Sequence, residues 1–119
     1  MIKNKVLAEH YFLKEMDNDN YYPTHLVKKG QELLKALCLK IEATSPKNLA
    51  ELYILTQETT DQFNELAEEF YEENSEIETV ARECIAEDFG VIAEDFGVIA
   101  DEYGFEDADI EELIATRDW

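Results

Sequence analysis

Residues 26–70 read LVKKGQELLKALCLKIEATSPKNLAELYILTQETTDQFNELAEEF, and two apolar series run through them, separated by TSPKN. Leu26, Val27, Gly30, Leu33, Leu34, Leu37, Cys38 and Ile41 recur at three and four, the period of one face of an α-helix. Leu49, Leu52, Tyr53, Thr56, Thr60, Phe63, Leu66, Ala67 and Phe70 do the same on the far side of TSPKN. Within that break, Ser45 can cap a helix and Pro46 suits a first-turn position, where its missing N–H is no loss. Two long amphipathic helices joined by so short a link must lie antiparallel.

Outward from this pair the pattern stays helical. A shorter helix is predicted over about residues 4–16, with Val6, Leu7, Tyr11, Leu13 and Met16 on its apolar side. The run DNDN at 17–20 ends it, because short polar side chains compete for backbone hydrogen bonds. Tyr21-Tyr22-Pro23 then opens the helix of the 26–41 series. After residue 73, Asn74-Ser75 form a break, and Ser75 with Glu78 reads as a capping box for a fourth helix carrying Ile77, Val80, Ala81, Cys84, Ile85 and Phe89. A last short helix starts at Asp109, boxed with Glu112, and runs towards Trp119. The expectation is an all-α, single-domain antiparallel bundle of about five helices over residues 1–119.

Composition agrees. The 119 residues are 45% hydrophobic, enough for one core, and hold only four Gly and two Pro, too few for a turn-rich β fold. The N-terminal MIKNKVLAEHYFLKEMD mixes charge and apolar residues too finely for a signal peptide. No stretch approaches the ~20 apolar residues of a membrane span, so no membrane partner is expected. Cys38 and Cys84 each sit in an apolar helical stripe and read as buried thiols of a reducing cytoplasm.

Residues 85–105, IAEDFGVIAEDFGVIADEYGF, contain one heptad written twice without change and a third time loosely. Ile85, Phe89, Ile92, Phe96, Ile99 and Tyr103 form one stripe in phase with Ile77, Val80 and Cys84. Seven residues are nearly two turns, so an added heptad lengthens a helix by ~10 Å and rotates the residues beyond it by only ~20°. Such an insertion disturbs a helix least, and the repeat reads as a tandem duplication that lengthens the fourth helix. Gly90 and Gly97 each cost about 1 kcal/mol inside a helix relative to Ala. About two and a half heptads fall short of a coiled coil. The string DFG at 88–90 and 95–97 matches the metal-binding triplet of kinases but lacks every companion motif.

The net charge of −19 is unevenly spread. Residues 1–50 hold eight of the ten Lys and Arg with six acids, whereas residues 51–119 hold two basic residues and the other 23 acids. Such a C-terminal half repels phosphate backbones, which argues against nucleic acid, and attracts a basic protein surface or divalent cations. Chemistry for catalysis or metal binding is missing from the pattern. His10 and His25 have no His or Glu at helical ligand spacing. DNDNYY opens like a calcium loop, yet places Tyr21 where a ligand belongs and Tyr22 where Gly is needed, and FEDADIEE fails likewise. No nucleophile motif is present, and no cofactor is implied.

The segments running from NYYPTHLVKKGQ to DQFNEL, SEIETVARECIAEDF and YGFEDADIEELIATRDW, together spanning about residues 19–119, resemble a family of small acidic bacterial proteins known only as a domain of unknown function. Against that family this chain carries one heptad more. The resemblance implies no catalytic residue.

Three functions are compatible with these observations. The first is a non-catalytic interaction module, of the immunity or inhibitor type, that presents Glu68, Glu69, Glu72 and Glu73 with Glu87, Asp88, Glu94 and Asp95 to a basic protein. The second is a small ligand carrier or enzyme with a pocket lined by Tyr21, Tyr22, Tyr53 and His25. The third is a homodimer formed through the helix that carries Ile92 and Phe96.

Overall fold

A computed structural model describes residues 2–73, 75, 79–100 and 110–119, with residues 49, 79, 80, 93–100, 110 and 111 described by their backbone. The described residues form helices without strands: α1 (Lys5–Glu9), α2 (Lys14–Asp17), α3 (Thr24–Thr44), α4 (Leu49–Glu72), α5 (Thr79–Ala100) and α6 (Ile110–Leu113). Four of them exceed a single turn, and α2 and α6 are one turn each, so the expected count of five is one too many while the all-α class holds.

The helices α3 and α4 form the antiparallel hairpin read from residues 26–70. Three side-chain pairs mark its register: His25 with Glu73 at 2.7 Å, Lys29 with Glu69 at 2.6 Å and Lys40 with Glu58 at 3.1 Å. As the α3 number rises, the α4 number falls by the same amount. The break between them is built differently from the expectation. Ser45 ends α3 in the left-handed conformation at φ 47°, and Asn48 is the N-cap of α4, accepting the Glu51 N–H at 2.9 Å. The Glu51 carboxylate in turn accepts the Lys47 N–H, so the two side chains satisfy donors that the first turn leaves open.

The predicted helix over 4–16 is two helices. Asn4 caps α1, and the chain then turns extended at His10 and left-handed at Leu13, φ 53°. The reason is geometric. Leu7, Phe12, Leu13 and Met16 are all at most 2% exposed. On one continuous helix Phe12 and Leu13 would point about 140° and 240° away from Leu7, too wide for one buried face. Breaking the helix turns all four inward. This segment runs antiparallel to α3: the Lys3 and Asn4 N–H groups donate to Glu42, and Gln31 donates to the Phe12 carbonyl at 2.9 Å. Leu13 packs where only glycine leaves room, since a Cβ on Gly30 would lie 2.7 Å from Leu13 Cδ1 and 3.3 Å from Phe63 Cε1.

The third long helix, α5, packs against α1, α2, α3 and α6. It runs without a break through Gly90 and Gly97 and continues through both copies of the heptad, as the repeat predicts. Ala81, Cys84, Ile85, Phe89 and Ile92 point into the core, and Phe89 meets Phe63 edge-on with ring centroids 5.9 Å apart. Ile92 is thus covered within the monomer, while the Phe96 and Val80 side chains lie outside the described residues, as do Ile77, Glu78, Tyr103, Gly104 and Asp109. The C-terminal end is tied to α4 by side chains on one of its faces. Gln57 donates to the Glu112 carbonyl at 2.8 Å, Thr60 to Leu113 at 3.3 Å, and Asn64 to Thr116 at 3.0 Å.

Candidate functional site

The eight acids expected to form one partner-binding face are sorted by the structure into four groups. Glu69 and Glu73 are engaged within the molecule, paired with Lys29 and His25 across the hairpin. Glu68 and Glu72 on α4 and Glu87 on α5 are exposed, and among the described residues no cation lies within ion-pair distance of them. The side chains of Glu94 and Asp95 lie outside the described residues.

Asp88 forms the fourth group, and it corrects the expectation of a solvated acid. Only 6% exposed, it turns away from the surface and points at the broken N-terminal segment. Its Oδ1 lies 2.8 Å from His10 Nε2, and its Oδ2 accepts the Leu13 backbone N–H at 2.6 Å. The left-handed turn at Leu13 leaves α2 without a side-chain cap of its own. An aspartate from α5 supplies one, and a charge-assisted bond from a carboxylate suits a buried N–H well. Sequence reasoning missed this pairing because Asp88 and Glu87 are neighbours on a heptad, and only the partner segment distinguishes them.

A cleft of about 340 Å³ opens beside this pair, between the N-terminal segment and α5, with His10, Lys14, Glu15, Cys84 and Asp88 among its walls. Cys84 is 7% exposed. Burial, first of all, pushes its thiol up to about 11. The negative charges of Asp88 and Glu15 add to the rise, and backbone hydrogen bonds from Met16 and Glu15 oppose it. Such a thiol stays protonated at neutral pH, the opposite of an activated nucleophile. Tyr11 is also raised, through its hydrogen bond to Asp17.

A second opening, of about 530 Å³, is a groove along the α3–α4 hairpin with His25, Lys28 and Lys29 on one side and Glu65 and Glu69 on the other. None of Tyr21, Tyr22 or Tyr53 lines it. Tyr22 is instead a core residue, edge-on to Phe70 at 6.2 Å, and Tyr21 is exposed at 45%. Among the described residues no group of three or more His, Cys, Asp or Glu is placed to hold a metal ion. Nor is any described helix long and apolar enough to cross a membrane.

Fold and surface together define a small all-α protein with a hairpin bridged by side-chain pairs and an N-terminal segment latched to α5. The chain belongs to a family of unknown function, DUF5713, whose family model matches residues 6–119. The match takes in α1 from Val6 onward and all of α2, so the latched segment is part of the family's extent. No curated protein and no solved structure matches the chain.

Proposed function

We propose that the protein is a non-catalytic interaction module that offers the outer surface of α4 and α5 to a basic protein. The observation that carries this reading is the uncompensated charge left once the hairpin pairs are made. Lys29, Lys40 and His25 are engaged by Glu69, Glu58 and Glu73, and Glu68, Glu72 and Glu87 remain exposed with no cation among the described residues within ion-pair distance, although Glu87 shares its cleft with Lys14. An acidic surface of this kind steers a basic partner and raises the rate of encounter, more strongly at low salt. A neutraliser of a basic toxin in the bacterial cytoplasm is one concrete version, suggested by size and charge.

The test is retention of basic proteins from the native host on immobilised protein, compared with a variant carrying E68Q, E72Q and E87Q. Retention should fall steeply between 50 and 200 mM salt and drop about tenfold in the variant, equivalent to about 1.4 kcal/mol. Retention that ignores both salt and the three substitutions overturns the reading.

A further inference from the structure

The side-chain pairs that bridge the hairpin leave a gap. From Lys29–Glu69 to Lys40–Glu58 is about three turns, or ~16 Å, on both helices. Over that length no side-chain pair crosses the seam among the described residues. On this side α3 offers Leu33, and α4 offers Gln62, Glu65 and Leu66, and the groove of about 530 Å³ opens over them. Its floor is apolar: Leu66 is 3% exposed, and Leu33 is half-buried against the core. Its lips differ in sign. Lys28 on α3 and Glu65 on α4 are both exposed, and neither makes an ion pair among the described residues. Glu65 also belongs to a stripe of exposed acids, Asp61, Glu65, Glu68 and Glu72, that follows the helical period along the outer face of α4.

We infer that this groove receives one amphipathic helix of the basic partner, with an apolar side chain seated over Leu33 and Leu66 and lysines or arginines lying over the α4 stripe. This placement rests on the reading of α4 as an acidic docking surface, and it adds the point at which the partner is gripped. Charge by itself steers a partner and speeds encounter, whereas an apolar anchor in a pocket holds it in one position.

The shape and the charges select the occupant. A groove between two antiparallel helices matches a third helix, whose side-chain rows at three and four residues repeat with the spacing of the acids beneath them. Lys28 sets the polarity: the partner turns its basic residues towards α4 and away from α3. A second copy of this chain is the poorer occupant, because two chains of net charge −19 repel each other.

The experiment uses two synthetic peptides of about 15 residues, long enough to lie along the groove. Both carry lysines at helical spacing; beside them one has leucines and the other has alanines in the same places. Fluorescence anisotropy gives their affinities for the full chain and for L33N, which puts an amide on the groove floor, and amide shift mapping gives the place of binding. The leucine peptide should bind the parent about tenfold more tightly, as expected for one buried leucine. L33N should abolish that advantage and leave the alanine peptide and the salt dependence of both unchanged. In the parent, shifts should move at residues 28–33 and 62–69. Equal binding of the two peptides to the parent, a leucine advantage that survives in L33N, or shifts confined to α5 around Glu87 overturns the groove and leaves the acidic-surface reading standing. Binding of both peptides that salt does not weaken overturns the two together. Thermal unfolding checks L33N, and should it fail to fold, the two peptides and the shift map on the parent decide.

Discussion

Asp88 and Leu13, seventy-five positions apart in the chain, are joined by a 2.6 Å hydrogen bond from the Leu13 N–H to the buried carboxylate. The bond sits at the one place where the N-terminal segment leaves helical geometry, and it supplies the acceptor that a continuous helix would have provided from within. A non-glycine residue at φ 53° costs on the order of 1–2 kcal/mol. That cost is offset by the burial of Phe12, Leu13 and Met16, which the turn makes possible.

The latch gives the first expected outcome. D88A should lower stability by about 1–3 kcal/mol, the usual cost of orphaning a buried donor. D88N keeps an acceptor for the Leu13 N–H and should lose less. Urea unfolding of the two variants side by side checks this, and equal losses would show that the Leu13 bond contributes nothing distinct.

Close approach at Gly30 sets up the second. The added methyl of G30A would meet Leu13 Cδ1 at 2.7 Å and Phe63 Cε1 at 3.3 Å, and both side chains are buried. Overpacking of this kind costs about 1–3 kcal/mol. Gly to Ala in a helix otherwise gains up to ~1 kcal/mol, so the sign of the change separates crowding from propensity. Thermal unfolding of G30A should therefore show a lower midpoint, and a raised midpoint would mean that Leu13 yields at no cost.

These two sites show where sequence reading succeeded and where it stopped. The α3–α4 hairpin was legible because its apolar residues keep a 3.6 period over six turns, and because Asn, Ser and Pro cluster between the two series. Both signals are local. The break at His10–Leu13 was not legible, since nothing within residues 4–16 forbids a helix. It is imposed by what four apolar side chains must reach and by an acceptor on α5. The same cause hid the role of Asp88. On a helical wheel it flanks the apolar stripe beside Glu87, and the two acids differ only in what lies across from them. Glu69 and Glu73 were equally ambiguous, because their partners Lys29 and His25 lie on another helix and the register between the two is a tertiary fact.

Alkaline pH provides a third outcome. The Cys84 thiol is raised from 9.0 to about 11 in the folded chain, so the folded state holds its proton more tightly than the unfolded state. Its contribution is fully present below about pH 9. It is lost as pH rises from there through about 11, where the unfolded thiol has ionised and the folded one has not. At 1.36 kcal/mol per unit the loss is of the order of 2–3 kcal/mol. Tyr11, raised through Asp17, acts in the same direction above pH 10. Stability measured by urea unfolding from pH 8 to 11 should fall in the parent. The slope should be shallower in C84A and shallower still in C84A/Y11F, whereas parallel profiles would assign the alkaline loss to other groups.

The last outcome concerns a buried hydroxyl. Thr56, Thr59 and Thr60 are each at most 1% exposed on α4. Thr56 and Thr60 donate to the carbonyls of Tyr53 and Thr56, and Thr60 also reaches Leu113. Among the described residues Thr59 Oγ1 has no partner. A buried hydroxyl left without a hydrogen bond carries its desolvation cost uncompensated, about 1–3 kcal/mol on mutational scales. Valine keeps the shape and the branched Cβ while removing the polar atom. T59V should therefore stabilise the protein by about 1 kcal/mol, while T60V, which removes the one hydroxyl proton shared between the Thr56 and Leu113 carbonyls, should destabilise it by a similar amount. Opposite signs from one chemical change on neighbouring residues would place the difference in hydrogen bonding rather than in helix propensity. If T59V lowers the unfolding midpoint as T60V does, the Thr59 hydroxyl has an acceptor in solution.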